Sequence, residues 1–202
     1  MEVKIYKASI IIIASSHNPS IFSPQWFSDN KLHDKKPEKF VNTYDFSFLD
    51  FEDLSVLVDN NRFTINAKLL NTQTLKKLSE ISSQCIKLLK HNPYKALGLN
   101  FGWKVNSDNI RIDLNINGNT KKDVSRFLEE DKIKFGGMIY AKKESFDLSI
   151  RIEPRENTIL NNFNYHHNIE NLYIEKIISL IENYESLFNY SKHFLEKLYK
   201  RG

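Results

Sequence analysis

The sequence predicts an α+β fold, a mainly antiparallel, curved sheet of about seven to nine strands with two long amphipathic helices on one face. Three observations predict it. Short runs rich in β-branched and aromatic residues recur along the chain, with turn-forming residues between them. Two longer stretches, 72–91 and 169–199, place apolar residues at helical spacing. Asp59-Asn60-Asn61 tolerates a left-handed turn and joins two of the runs, 54–58 and 62–67, as a hairpin.

The first strand, 3–15, holds Ile10, Ile11, Ile12 and Ile13, an uninterrupted apolar centre that predicts burial on both faces. Ser23 caps a short helix with Pro24 at its first position and Trp26 and Phe27 as anchors. Residues 29–39 are polar and lysine-rich and read as an exposed loop. In 40–51, Tyr44, Phe46, Phe48 and Phe51 recur as in a half-buried strand. The helix of 72–91 carries Leu75, Leu78, Ile81, Cys85 and Ile86 on one face, and Asn92-Pro93 stops it because proline disfavours helix in the residue before it.

A second course follows. Residues 96–105 read as a strand, Ile110, Ile112, Leu114 and Ile116 alternate as another, and Asn119 or Thr120 opens a short helix with Val124, Phe127 and Leu128. Strands are expected at 138–142, 146–152 and 159–165, then one long helix over 169–199. The whole of 1–202 is expected to be a single domain with half-repeats 1–92 and 93–202, and Asp53-Leu54-Ser55-Val56-Leu57-Val58 aligns with Asp147-Leu148-Ser149-Ile150-Arg151-Ile152. This order of elements resembles the duplicated topology of the TATA-binding-protein fold, and the resemblance implies a nucleic-acid-binding saddle as one reading. None of the DNA-kinking residues of that fold is recognisable here.

Of the 202 residues, 41% are hydrophobic and 27% charged, the balance of a folded chain rather than a disordered one. The longest apolar run is far shorter than a membrane span, which, with a lone cysteine, Cys85, predicts a cytoplasmic protein without a membrane or disulfide framework. A net charge of +4 permits acidic partners without demanding them. Gly-x-Ser-x-Gly, His-Glu-x-x-His and phosphate-loop patterns do not occur, so no catalytic residue and no cofactor or metal is expected.

Candidate binding residues are basic. Lys31, Lys35, Lys36 and Lys39 gather on one loop, Lys121 and Lys122 begin the second short helix, Lys142 and Lys143 end a strand, and Arg151 and Arg155 bracket Glu153. Tyr44, Trp26, Trp103 and Tyr140 would stack on bases if exposed. His166 and His167 are weaker candidates for proton or metal chemistry, because adjacent strand residues point to opposite faces and cannot easily share an ion. Acids at Asp45, Asp50, Glu52 and Asp53, and at Glu129, Glu130 and Asp131, would hold magnesium only if folding joined them.

The segments Asn18-Pro19-Ser20-Ile21-Phe22-Ser23-Pro24-Gln25-Trp26, His91-Asn92-Pro93-Tyr94-Lys95-Ala96-Leu97-Gly98-Leu99-Asn100 and Arg151-Ile152-Glu153-Pro154 together resemble a family of bacterial proteins of about this length with no assigned activity. The resemblance implies a compact full-length domain and transfers no site. The expected function is a non-enzymatic protein-binding module, a subunit or regulator of a bacterial multi-protein system such as phage defence, with self-association or another protein as partner. DNA or RNA binding is the first alternative and an enzyme with an unfamiliar site the second.

Overall fold

The computed structural model describes residues 2–106 and 136–199. The strand and helix expected around 110–128, with Lys121, Lys122 and the acids 129–131, lie outside them.

Chain order is β1 (Val3–Ala14), a single 3-10 turn (Pro19–Ile21), α1 (Pro24–Asp29), β2 (Lys39–Asn42), β3 (Phe46–Asp50), β4 (Leu54–Asp59), β5 (Arg62–Ala67) and α2 (Thr72–Leu88), followed by β6 (Tyr94–Asn106), β7 (Gly137–Lys142), β8 (Asp147–Pro154), β9 (Thr158–Asn168), α3 (Ile174–Glu182) and α4 (Tyr184–Tyr199). The nine strands among the described residues join one sheet in the order β2-β3-β4-β5-β1-β6-β9-β8-β7, every neighbouring pair antiparallel. The α+β class with an antiparallel sheet is therefore as the sequence predicts.

β1 and β6 pair at the middle, from Val3 opposite Val105 to Ala14 opposite Tyr94. A bulge sets Tyr6 and Lys7 against the single residue Gly102. Burial alternates along most strands, interrupted where Ser9 and Gly102 are buried as well as their neighbours. Ala8, Ile10 and Ile12 of β1, Leu97, Leu99, Phe101 and Trp103 of β6, and Ile159, Phe163 and Tyr165 of β9 are buried. The intervening Ile11 and Ile13 are half-exposed, so the prediction that β1 is buried on both faces is corrected. A four-isoleucine run satisfies two-sided burial on paper, but the central strand has one packed side.

The helices touch the buried set. α2 contacts β1 and β5, and α4 contacts β1 and β6. Phe101 lies 4.6 Å between ring centroids from Tyr184, Trp103 4.9 Å from Phe188, and Phe163 5.8 Å edge-on to Phe194. Each such buried side chain contributes about 1.5–3 kcal/mol relative to exposure. Trp103 Nε1 donates to Ser191 Oγ at 2.9 Å, which satisfies the one polar atom of the indole.

Two further expectations change. The single strand over 40–51 is a hairpin, β2 and β3, turned at Thr43, whose amide donates to Phe46 O and whose Oγ1 accepts from Phe46 N. Asn42-Thr43-Tyr44-Asp45 carries that turn chemistry, and the aromatic spacing masks it. The long last helix is two. Ile169 to Tyr173 form a loop with Asn171 at φ 64, and Asn183 ends α3 while its carbonyl accepts from Leu187 N in α4. Asparagine is a weak helix residue that suits such a break, and Tyr184 beside it is buried on Phe101.

Candidate functional site

The predicted basic residues do not converge. Lys31 follows α1 in left-handed backbone at φ 53, Lys36 is exposed in the loop, and Lys39 starts β2 opposite Asp50. Lys35 is committed to Glu52 at 2.6 Å, a pair on the surface that contributes little. Lys142 ends β7, and Lys143 stands over the rings of Phe146 and Tyr190 at 5.6 and 5.1 Å. β2 and β7 are the two edges of the sheet, so these clusters lie eight strand spacings apart, roughly 38 Å at about 4.8 Å each.

The aromatic candidates divide. Trp103 is buried and leaves the stacking set, because its place on β6 faces α4. Trp26 is half-buried against Phe22 and Phe27. Tyr44 and Tyr140, at 92% and 74% exposure, stand open.

His166 and His167 take opposite sides, as strand geometry demands. His166 is exposed. His167 is buried, with Nδ1 donating to Ser145 O at 2.6 Å, and burial pushes its pKa down. Of the acids, Asp50 binds Lys68 at 2.9 Å, Glu52 binds Lys35, and Asp53 binds His33 and Lys77. Among the described residues no three histidine, cysteine or carboxylate side chains form a group able to hold a metal ion. Cys85 is buried and its thiol is pushed far up by desolvation, the reverse of a nucleophile.

The His33-Asp53-Lys77 cluster is invisible to sequence spacing. Nε2 of His33 donates to Asp53 Oδ1 at 2.9 Å, and Lys77 Nζ donates to Asp53 Oδ2 and Asp34 Oδ1, each at 3.1 Å. The Lys35 amide approaches Nδ1 at 3.1 Å, so both ring nitrogens are engaged and neither is left to act as a base. Burial opposes ionisation of Asp53, but the bonds from His33 and Lys77 outweigh it and hold the carboxyl below its ordinary range.

The face of the sheet that carries Ile11 and Ile13 holds a feature that no single motif displays, although Ser9 at its middle is itself buried. Strand register aligns Ser55 with Asn66, Asn66 with Ser9, Ser9 with Asn100, Asn100 with Asn164, Asn164 with Ser149, and Ser149 with Tyr140. A row of hydroxyls and amides thus crosses seven strands and ends on an exposed tyrosine. Two residues along, a second row runs Lys7, Gly102, Asn162, Arg151 and Met138. Tyr6, the bulge residue, lies across Gly102 and donates to Asn162 Oδ1 at 2.5 Å. Lys104, opposite Lys4, stands 5.4 Å over its ring. Arg151 is held by Glu153 at 2.6 Å, and Glu153 is also 3.9 Å from Arg155. Asparagine is depleted in strands, so Asn66, Asn100, Asn162 and Asn164 inside strand-like runs were the available signal.

A groove of about 790 Å³ opens between the end of α2 and the start of α3, lined by Lys87, Lys90, Lys95, Pro93, Leu172 and Tyr173 among others. Tyr173 is 83% exposed. No helix among the described residues is long and apolar enough to cross a membrane.

Compared with known proteins, the chain matches no family model and no curated sequence.

Proposed function

We propose that this chain is a non-enzymatic binding module, a subunit or regulator of a bacterial multi-protein system such as phage defence, that captures another protein in the α2–α3 groove. The observation that carries the reading is Leu172 and Tyr173 held exposed in a groove whose charged lining is Lys87, Lys90 and Lys95 with Glu170 and Glu175. A solvent-exposed tyrosine and leucine among charges of both signs suit an apolar segment with charged flanks, since aromatic anchors dominate interfaces and charges steer approach. The groups able to start chemistry support the same view. His33 engages both ring nitrogens and His167 its Nδ1 in internal bonds, and Cys85 is buried with its thiol pushed far up.

The scaffold reading belongs with it. Outward from the central β1–β6 pair the sheet runs β5-β4-β3-β2 on one side and β9-β8-β7 on the other. The aligned segments at Asp53 and Asp147 fall on β4 and β8, each second from its central strand. This correspondence supports an internal duplication of the kind seen in the TATA-binding-protein fold, with the long helices over one face and the other face left as a saddle.

The test is co-purification from the native host with the wild type and with Leu172→Asp/Tyr173→Asp, alongside light scattering of the pure protein. The reading expects a stoichiometric protein, or a second copy, that the double variant loses. A lone monomer that recovers no stoichiometric protein sinks it.

A further inference from the structure

A second surface, separate from the α2–α3 groove, carries its own chemistry. We infer that this open face of the sheet binds single-stranded nucleic acid, with bases over Asn66, Asn100, Asn164 and Ser149 and phosphates over Lys4, Lys7, Lys104 and Arg151.

The amides come first. β6 and β9 lie near the sheet centre, where valine and isoleucine are the favoured residues, yet their half-exposed positions hold Asn100, Asn162 and Asn164. The Asn100 side chain donates to Gly98 O at 3.2 Å, and Asn164 Oδ1 stands 3.8 Å from where a Gly98 Cβ would be. Gly98 keeps the floor between these side chains low, whereas Tyr6 covers Gly102. An amide presents a donor and an acceptor together, the pair that the edge of a base complements. In a single strand those edges are unpaired and available.

Charge decides the class of occupant. Lys4 and Lys104 face each other across β1 and β6 as like charges, a repulsion that Glu2, 2.9 Å from Lys4, offsets only in part. Lys7 and Arg151 extend the patch over the neighbouring row, and Glu153 is its acid on β8. A bound phosphate relieves this repulsion. Exposed Tyr140 closes the row at β7 as an aromatic platform, whereas the Tyr6 ring is already covered, lying against Gly102 and beneath Lys104. Stacking on such a ring is tolerant of sequence, and it leaves a duplex, whose bases are already stacked, with less to gain.

The probes are fluorescein-labelled single-stranded DNA and RNA of about 20 nucleotides, the matching duplex, and heparin, followed by anisotropy with the full chain at ~50 and ~200 mM salt. The expected result is binding of one or both single strands that weakens with salt, exceeds that of the duplex, and falls about tenfold in Asn100→Ala/Asn164→Ala. Tyr140→Ala, at an exposed edge position, lowers affinity without touching the core. Lys7→Ser/Lys104→Ser flattens the salt dependence. DNA and RNA arms distinguish the sugar, and Leu172→Asp/Tyr173→Asp leaves all these affinities unchanged, which separates this surface from the groove. The inference is overturned by an absence of single-strand binding at the lower salt, by a duplex or heparin bound as tightly, or by folded asparagine and Tyr140 variants that bind like the wild type.

Discussion

Asp53 accepts a 2.9 Å hydrogen bond from Nε2 of His33, whose ring stacks 4.1 Å above Phe51. With Lys77 on the other carboxylate oxygen, one acid ties the loop after α1, the β3–β4 turn and α2 together. Asp53→Ala removes both charged hydrogen bonds and leaves His33 buried beside an apolar ring, so the expected loss is about 2–3 kcal/mol. Urea unfolding checks it, as a lower midpoint with an unchanged slope. Asp53→Asn, which keeps the shape, should lose less.

Gly102 and Tyr6 make a second, steric relationship. A Cβ at position 102 would stand 2.8 Å from Tyr6 Cζ and 3.0 Å from Lys7 Cβ, inside van der Waals contact. Gly102→Ala is expected to cost about 1–3 kcal/mol by displacing the ring from Asn162. In the Tyr6→Ala background the same change should cost less. A double-mutant cycle by thermal unfolding reads the coupling, and strict additivity would refute the contact.

Ser191 is set against Trp103. Ser191→Ala strands the buried indole N–H, at an expected cost of about 1–3 kcal/mol. Adding Trp103→Phe to that variant removes the stranded donor along with some packing, so the double variant should lose less than the sum of the two single changes. Calorimetric melting temperatures measure both steps.

Acid should weaken the fold through two histidines. Burial lowers the pKa of His17 and of His167 from the ordinary 6.5. Each folded-state pKa lies below the unfolded one, so as pH falls through about 6.5 the unfolded chain takes up protons that the folded chain refuses. Stability is then full above that pH and declines below it, until the folded-state pKa values are reached. Melting temperatures from pH 8 to 5 should show the decline, and His17→Gln/His167→Gln should flatten it.

The sequence by itself determined the local alphabet of this protein. Apolar alternation set most strands, helical spacing set α2, Ser23-Pro24 set the start of α1, and Asp59-Asn60-Asn61 set the β4–β5 turn. These depend on residues within a few positions of one another, which is the range over which backbone sterics and side-chain periodicity act. It misread β2 and β3 as one strand, because aromatic spacing outweighed a four-residue turn, and read α3 and α4 as one helix, because apolar periodicity runs on past Asn183. Tertiary structure alone decided the rest. Pairing of β1 with β6 brings Ser9 beside Asn100, β6 with β9 brings Asn100 beside Asn164, and loop packing brings His33 to Asp53. Hydrogen-bond register between strands far apart in the chain is settled by how the whole sheet buries one side. No window of sequence contains that information.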